Sequence, residues 1–421
     1  MQSATQMRTP SLFREALLLG ALVVPGPFAI DMFLPAMPDI TRDLGTTIAA
    51  TQMTLTAYFI AFGLAQMAYG PWSDAVGRKK PMYVGLVIFL AGTLACTLAT
   101  SIGMLIAARV VQAIGAAVLM VIPRAIIRDR HTGERATRLM ALIMLVMSVS
   151  PMLAPLVGSI LMEFGGWRII FGALALAAAL ALLVTIRVLP ETLDTTARRP
   201  VNAANMIRGI GILSRDRGFM GLTLVGGFGM ASFFVYIAMA PFVFTGAYGL
   251  SPQGFSLAFA VNAVGFFAAS QAAAWMGARF GAGRVVLLAT LGFATCASVL
   301  FALTQVTEVP LVMLIAGLAA GNACLGLVIP TAMVLALEEH GDLAGLASSL
   351  GGTLQMVVGG VMIGLTGLFF DGSPERLVLA ILICAILAPG VGVTRPDRAQ
   401  EPNTGLPGPI PCFILADKLR R

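Results

Sequence analysis

Charge is scarce in this 421-residue chain: Asp, Glu, Lys and Arg together make up 11% of it, where a soluble domain carries about 25%. With 58% hydrophobic residues and a mean hydropathy of +0.91, no water-soluble fold could hide so much apolar surface. The solvent for this chain is lipid. Histidine is almost missing, at two residues; His131 and His340 both fall in polar stretches and are expected to be solvated. No Gly-x-x-x-x-Gly-Lys-Ser/Thr stretch is present, which removes the phosphate-cradling loop of an ATP-driven pump. Neither paired carboxylates nor a nucleophile triad is visible, so nothing points to an enzyme. The five cysteines (Cys96, Cys296, Cys324, Cys384 and Cys412) lack ligand-like spacing, and four lie inside apolar runs, so neither disulfides nor zinc is expected. No cofactor is implied.

What the chain does have is long apolar runs. Twelve candidate spans lie at about 16–38, 49–69, 82–100, 103–123, 137–162, 167–189, 219–243, 253–276, 284–304, 310–337, 343–369 and 376–393, each near the 20 or so residues that cross a bilayer. The first is too long for a signal-peptide core and is interrupted by Asp31. Lipid offers no partner to open backbone groups, so the spans must be helices, and the unbroken runs exclude alternating barrel strands. The expected fold is an all-α membrane protein of twelve transmembrane helices.

The stretch Gly70-Pro71-Trp72-Ser73-Asp74-Ala75-Val76-Gly77-Arg78-Lys79-Lys80 joins spans two and three. It is too short for a domain, so the two spans form a hairpin, and Arg78, Lys79 and Lys80 mark its cytoplasmic end. Alternating from there places 23 of the 27 basic residues inside, with Arg42, Arg168 and Arg376 outside and Arg109 within a span. Both termini are then expected in the cytoplasm. The net charge of +7 is a topology signal, and nucleic acid is not an expected partner. Glu338, Glu339 and Asp342 fall on the inside as well, but acidic residues count little in this rule.

The longest polar stretch between spans, 190–218, has six spans on either side. We therefore expect a six-helix bundle over 1–189, a cytoplasmic central loop over 190–218, a second bundle over 219–394 and a disordered cytoplasmic tail over 395–421, rich in Pro, Gly and charge. Trp275-Met276-Gly277-Ala278-Arg279-Phe280-Gly281-Ala282-Gly283-Arg284 joins spans eight and nine, the position matching the first hairpin turn. It keeps Gly and Arg but has no acid matching Asp74. Such a degenerate repeat suggests two bundles around a midplane site.

At this point the chain resembles a major facilitator superfamily transporter over nearly its whole length. Gly70, Asp74, Gly77, Arg78 and Lys79 match the family's loop motif, Gly-x-x-x-Asp-x-x-Gly-Arg-Lys. Arg109-Val110-Val111-Gln112-Ala113-Ile114-Gly115 is similar to the fourth-helix motif of proton-coupled members. Ala154-Pro155-Leu156-Val157-Gly158-Ser159 resembles the fifth-helix antiporter motif, with Ala154 and Ser159 in place of glycines. Asp31-Met32-Phe33-Leu34-Pro35-Ala36-Met37-Pro38, with Pro123-Arg124-Ala125-Ile126-Ile127-Arg128-Asp129 after span four, looks like the Bcr/CflA drug-resistance subfamily. The resemblance implies export of drugs such as bicyclomycin or chloramphenicol in exchange for protons.

Asp31 and Arg109 are the only charges deep inside spans, where an ionisable group costs at least about 2.5–3.5 kcal/mol and is functional by default. They lie seven and six residues from the outer ends of spans one and four, so both sit roughly 10 Å below the surface, and they are expected to meet if helices one and four pack together, as the resemblance implies. Burial and a neighbouring cation act on a carboxyl in opposite senses, so the pair is expected to load and release protons. In the family reading Asp74 and Arg78 latch the two halves closed on the cytoplasmic side. Span eleven starts near Leu343 and turns its positive N-terminal end towards Asp74. Pro151, Pro155 and Gly158 suit a bending helix. Tyr58, Phe233, Tyr236 and Asn262 are candidates to line an amphipathic drug cavity alongside Asp31 and Arg109, and the 23 methionines would suit an adaptable pocket.

The expected activity is proton-driven efflux of small amphipathic drugs by alternating access. The protein is expected to be a monomer, multi-pass in a bacterial-type inner membrane, with no cofactor beyond the proton gradient. Each proton moving through 100 mV releases about 2.3 kcal/mol. Proton-linked sugar or metabolite export on the same scaffold is the alternative; a membrane-embedded enzyme or a channel are readings from other classes.

Overall fold

A computed structural model describes residues 12–198, 203–338, 340 and 343–392. The expected tail over 395–421, Cys412, and the loop acids Glu339 and Asp342 lie outside the described residues. Among the described residues every regular element is helical. Eleven helices or helix runs are long and apolar enough to cross a membrane, and a further helix, Pro374–Gly392, brings the count to twelve.

The first span, Glu15–Asp43, is assembled from pieces: α1 (Leu12–Val23), α2 (Pro25–Asp31), a single 3-10 turn (Leu34–Ala36) and α3 (Met37–Asp43). Pro25, Pro27, Pro35 and Pro38 supply the reason, since each removes a backbone donor and blocks the turn before it. The span loses its regular ladder immediately after Asp31.

The remaining first-half helices are α4 (Ile48–Val76), α5 (Lys79–Thr97), α6 (Ile102–Arg130), α7 (Gly133–Met162) and α8 (Arg168–Arg187). Two of them run past the apolar stretches that announced them. The charged stretch 70–76, read from sequence as a turn, is the last two turns of α4, and Pro123 to Asp129 continue α6. Hydropathy marks where lipid ends, whereas a helix needs only its own backbone bonds and so extends beyond. The turn proper is Gly77, which stops α4 with φ +97°. Gly281 stops α11 at the matching place with φ +87°, so the repeat seen in sequence reappears as two left-handed glycine stops.

The segment 190–218 is more than a loop. It contains a 3-10 turn, Thr195–Ala197, and the amphipathic α9, Ala203–Arg215. Leu213 of α9 is buried with Phe219, Ala336, Ala347 and Leu350, while Arg208 and Arg215 stay exposed. The second half consists of α10 (Arg217–Phe242), α11 (Pro252–Phe280), α12 (Ala282–Val306), α13 (Leu311–Glu338), α14 (Ala344–Gly367) and α15 (Pro374–Gly392). Side-chain oxygens of Thr47, Ser101, Asp216 and Ser251 accept the N–H of Ala50, Met104, Phe219 and Gly254, capping four of the long helices.

Within the first half α5 packs against α6 and α8, and α4 against α6; within the second, α13 packs against α10, α11 and α12, and α15 against α10 and α12. The halves meet along two seams, α4 with α14 and α7 with α11. These are spans two and five of one half against spans five and two of the other, as a two-fold related pair of bundles requires.

Candidate functional site

Arg109 on α6 is fully buried. Its Nη1 donates to the carbonyl of Ala29 on α2, 2.8 Å away, and to Gln112 Oε1 at 2.6 Å. Gln112 in turn donates through Nε2 to Thr93 Oγ1 on α5 at 2.9 Å. The guanidinium carbon lies 4.6 Å from the Phe33 ring centre and 4.3 Å from that of Tyr58. Nε and Nη2 have no protein partner.

Asp31, buried as well, ends α2. The expected ion pair between it and Arg109 is not formed among the described residues: Arg109 is held by the backbone two residues earlier. Ala29 lies in the last turn of α2, where carbonyls lose their partner in the helix, and a guanidinium is the natural donor to such a group. Counting residues from span ends does not decide which face of a helix a side chain leaves from. At the break after Asp31, α7 approaches tightly. A methyl added at Gly158 would lie 2.2 Å from the Met32 carbonyl oxygen, so the glycine is needed for this approach. Pro151 and Pro155 sit inside α7 without interrupting it.

From Tyr58 an aromatic series crosses to the second half. Tyr58 stacks on Phe62 at 6.1 Å and meets Phe59 edge-on at 6.0 Å; Phe59 stacks on Phe234 of α10 at 3.8 Å. Phe233 then faces Phe266 at 5.2 Å and Tyr236 at 6.4 Å, and Tyr236 stacks on Phe259 at 5.5 Å. The hydroxyls of Tyr58 and Tyr236 are buried without a protein partner. Asn262, fully buried, donates to Ala258 O and accepts from Asn322. Tyr58, Phe233 and Tyr236 thus belong to one aromatic series, while Asn262 is spoken for within its own half.

Near this centre the halves are joined towards the end away from the basic loops. Gln52 Nε2 donates to Ala238 O at 3.2 Å, and Gln253 Nε2 to Glu163 Oε1 at 2.5 Å. Towards the basic end α7 and α11 part around a groove of about 810 Å³, lined by Leu145, Val149, Met152, Val264 and Phe267, with Arg138 at its rim. Gln52 and Glu163 were not singled out from sequence, because a lone polar residue near a span end carries no signal.

At the basic end, Arg78 is the hub of a second cluster. Its Nε and Nη2 donate to Asp129 at 2.7 and 3.1 Å, and its Nη1 to Asp74 at 2.5 Å and Ser73 Oγ at 2.7 Å. Burial pulls the guanidinium down, but the bonds to Asp129 and Asp74 outweigh it and hold Arg78 above its ordinary value. Glu191 accepts from the N–H groups of Arg78 and Lys79 at 2.8 and 3.2 Å, capping α5. Partial burial pushes its carboxyl up, and these backbone bonds, with those from Leu193 and Thr192, bring it below its ordinary value. A methyl at Gly77 would meet Glu191 Oε2 at 2.3 Å. Lys79 Nζ donates to Ile186 O, and Gly70 accepts from Ser73 Oγ.

The latch expected across the halves is therefore a cluster within the first half in this state. Asp74 is half exposed and bonded to Arg78 rather than to the start of α14. Asp129 and Glu191 were missed. Asp129 closes the stretch after span four with nothing to mark it as a partner of Arg78, and Glu191 carries no local signal. His131 and His340 are not solvated: each side chain is 13% exposed, against Glu15 at 3.0 Å and Asp216 at 3.5 Å respectively.

A six-plus-six helical membrane protein with two related bundles, seamed by spans two, five, eight and eleven around a buried charged and aromatic centre, is a secondary transporter in architecture. The sequence profile of the Major Facilitator Superfamily matches residues 19–395, and the chain belongs to that family, within its Bcr/CflA drug-resistance branch. It is 34% identical to the uncharacterized MFS-type transporter YdgK of Bacillus subtilis, over 84% of this chain and 88% of that one. It is 26% identical to the bicyclomycin resistance protein homolog of Haemophilus influenzae, over 90% and 95%. It is 29% identical to the chloramphenicol resistance protein of Pseudomonas aeruginosa, over 90% and 89%.

Proposed function

We propose that this transporter expels small amphipathic drugs, of the size and character of bicyclomycin or chloramphenicol, in exchange for protons. The end carrying the basic loops would face the cytoplasm, with both termini on that side of a bacterial inner membrane, and the working unit would be the monomer. The observation that carries the reading is a buried guanidinium, Arg109, with Nε and Nη2 unpaired, held by the backbone two residues before a buried carboxyl, Asp31, at the head of an aromatic series spanning both halves. Aromatic faces take up a drug's apolar body. Arg109 and the tyrosine hydroxyls offer donors to its polar edge, and Asp31 carries the proton. A drug that engages Arg109 alters the field at Asp31 and so its hold on a proton, which is the coupling an exchanger needs. Asp74 and Arg78 would latch the halves when the cytoplasmic end closes.

The test is proton release on drug addition, read with a pH indicator in weakly buffered detergent, together with drug uptake into inverted vesicles under an imposed pH gradient. Wild-type protein should release protons and drive uptake, and Asp31→Asn should do neither while still binding drug. Full proton-coupled export by Asp31→Asn would end the proposal. Sugar or metabolite export would instead give proton release with those solutes and none with the drugs.

A further inference from the structure

Away from the central site, a second buried carboxylate is surrounded by base. Glu15, at the start of the first span and 7% exposed, lies 3.3 Å from Arg130, 3.0 Å from His131 and 3.2 Å from Arg135. One carboxylate thus serves two arginines and a histidine. Both arginines keep about a third of their side chains exposed, at 34% and 36%. Other acids on the neighbouring elements are engaged elsewhere: Asp129 by Arg78, Glu134 by Arg138, and Glu191 by the backbone N–H groups of Arg78 and Lys79. Two guanidiniums on one carboxylate leave this cluster with net positive charge.

Directly beneath lies a cavity of about 260 Å³ between α1, the end of α6 and the segment following α8, walled by Leu18, Leu19, Ile126, Ile127, Val188 and Leu189. Water would need about nine molecules to fill it at roughly 30 Å³ each. A buried water requires two to four polar partners, and Glu15, Arg130 and His131 line only one end. Hydrocarbon suits the walls better. Cationic groups over an apolar slot, at the level where the first span begins, make a basic pocket between membrane helices of the kind that takes an anionic lipid headgroup.

We propose that this corner is a binding site for an anionic phospholipid, its phosphate on Arg130 and Arg135 and one acyl chain in the cavity below. Glu15 holds the two arginines facing the headgroup layer. The site is separate from the drug path and holds whichever solute is exported.

The test uses the full-length protein purified in detergent and offered phosphatidylglycerol or phosphatidylcholine of identical chains in mixed micelles, with retention read by native mass spectrometry and the thermal midpoint recorded alongside. Phosphatidylglycerol should be held about thirty-fold more tightly, the worth of two interfacial arginines, and the preference should collapse in Arg130→Gln/Arg135→Gln. Should that variant fail to fold, Leu18→Trp decides. It fills the cavity and leaves the ion cluster in place, and should weaken phosphatidylglycerol retention at least tenfold. Equal retention of the two lipids by wild-type protein would overturn the proposal, as would an intact preference in the variants. Glycerol 3-phosphate, which has no chains, should leave the midpoint unmoved; a shift equal to that given by the lipid would mean a small-anion site instead.

Discussion

Adding one methyl group at Gly158 should disable the transporter without removing any side chain from its centre. The new carbon would stand 2.2 Å from the Met32 carbonyl oxygen and 3.0 Å from its carbonyl carbon, roughly 1 Å inside the separation at which non-bonded atoms rest. Both obstacles are backbone, so no rotamer change relieves the overlap. Either α7 or the link after Asp31 must move, and that link carries Asp31 on one side and Phe33, one of the two rings against Arg109, on the other. Overpacking of this kind costs about 1–3 kcal/mol, and a displacement near 1 Å at a reacting centre costs on the order of a hundredfold in rate. The assay is paired: thermal midpoint in detergent, and initial rate of drug uptake at saturating drug. Gly158→Ala should lower both, the rate far more than the midpoint. Gly172→Ala is the control, since nothing lies within 4 Å of that added methyl and α8 gains about 0.8–1 kcal/mol of helix preference; its midpoint should hold or rise. If Gly158→Ala transports at the wild-type rate, the close approach of α7 to the broken first span does not set the geometry of the site.

Arg109→Lys keeps the charge but loses the flat cation between Phe33 and Tyr58 and the fixed bond to Ala29 O. Drug affinity by equilibrium binding should fall about tenfold, and an unchanged affinity would argue against Arg109 as a drug contact. Asp129→Ala breaks a bidentate and nearly buried pair, so its midpoint should drop by the equivalent of about 3 kcal/mol, whereas Asp74→Ala, which removes a half-exposed carboxylate and leaves Arg78 its bonds to Asp129, should cost about 0.2–1 kcal/mol. The reverse order would show that Arg78 is not anchored as described. Glu191 has its carboxyl depressed in the folded state. Its contribution is therefore complete above the ordinary glutamate value of about 4.3 and is lost as pH falls through the lower folded value. The wild-type midpoint should fall more steeply below pH 4 than that of Glu191→Gln, and parallel acid limbs would contradict the bonding.

Much of the architecture was legible because lipid is a demanding solvent. It forces helices and fixes their length, so span positions and the division into two related six-helix sets followed from the apolar runs and the matching stretches 70–80 and 275–284. The motif residues Asp74 and Arg78 were legible too, although as one turn, whereas Asp74 stands in the last turn of α4 and Arg78 just past the Gly77 stop, since hydropathy stops where lipid does. What the residues could not disclose was azimuth. Residue counts from the span ends bring Asp31 and Arg109 together, yet the cation bonds the carbonyl of Ala29, because a proline-broken helix leaves that acceptor free. Glu191 reaches Arg78 across more than a hundred positions of chain, and Glu15 reaches Arg135 across a similar span. Contacts at such separations leave no periodic trace.

Arg78 and its acids also set the two halves apart. At the first half's corner, Asp74, Asp129 and Glu191 tie the ends of α4, α5 and α6 and the segment after α8 into one stiff joint. The matching corner of the second half has Arg279 resting against the rings of Trp275 and Phe280 at 5.9 and 5.8 Å, contacts worth about 0.5–1 kcal/mol at an exposed site. Under the proposed alternating access, the first bundle would turn as a solid block, and the flexing that lets the passage change sides would fall to the second.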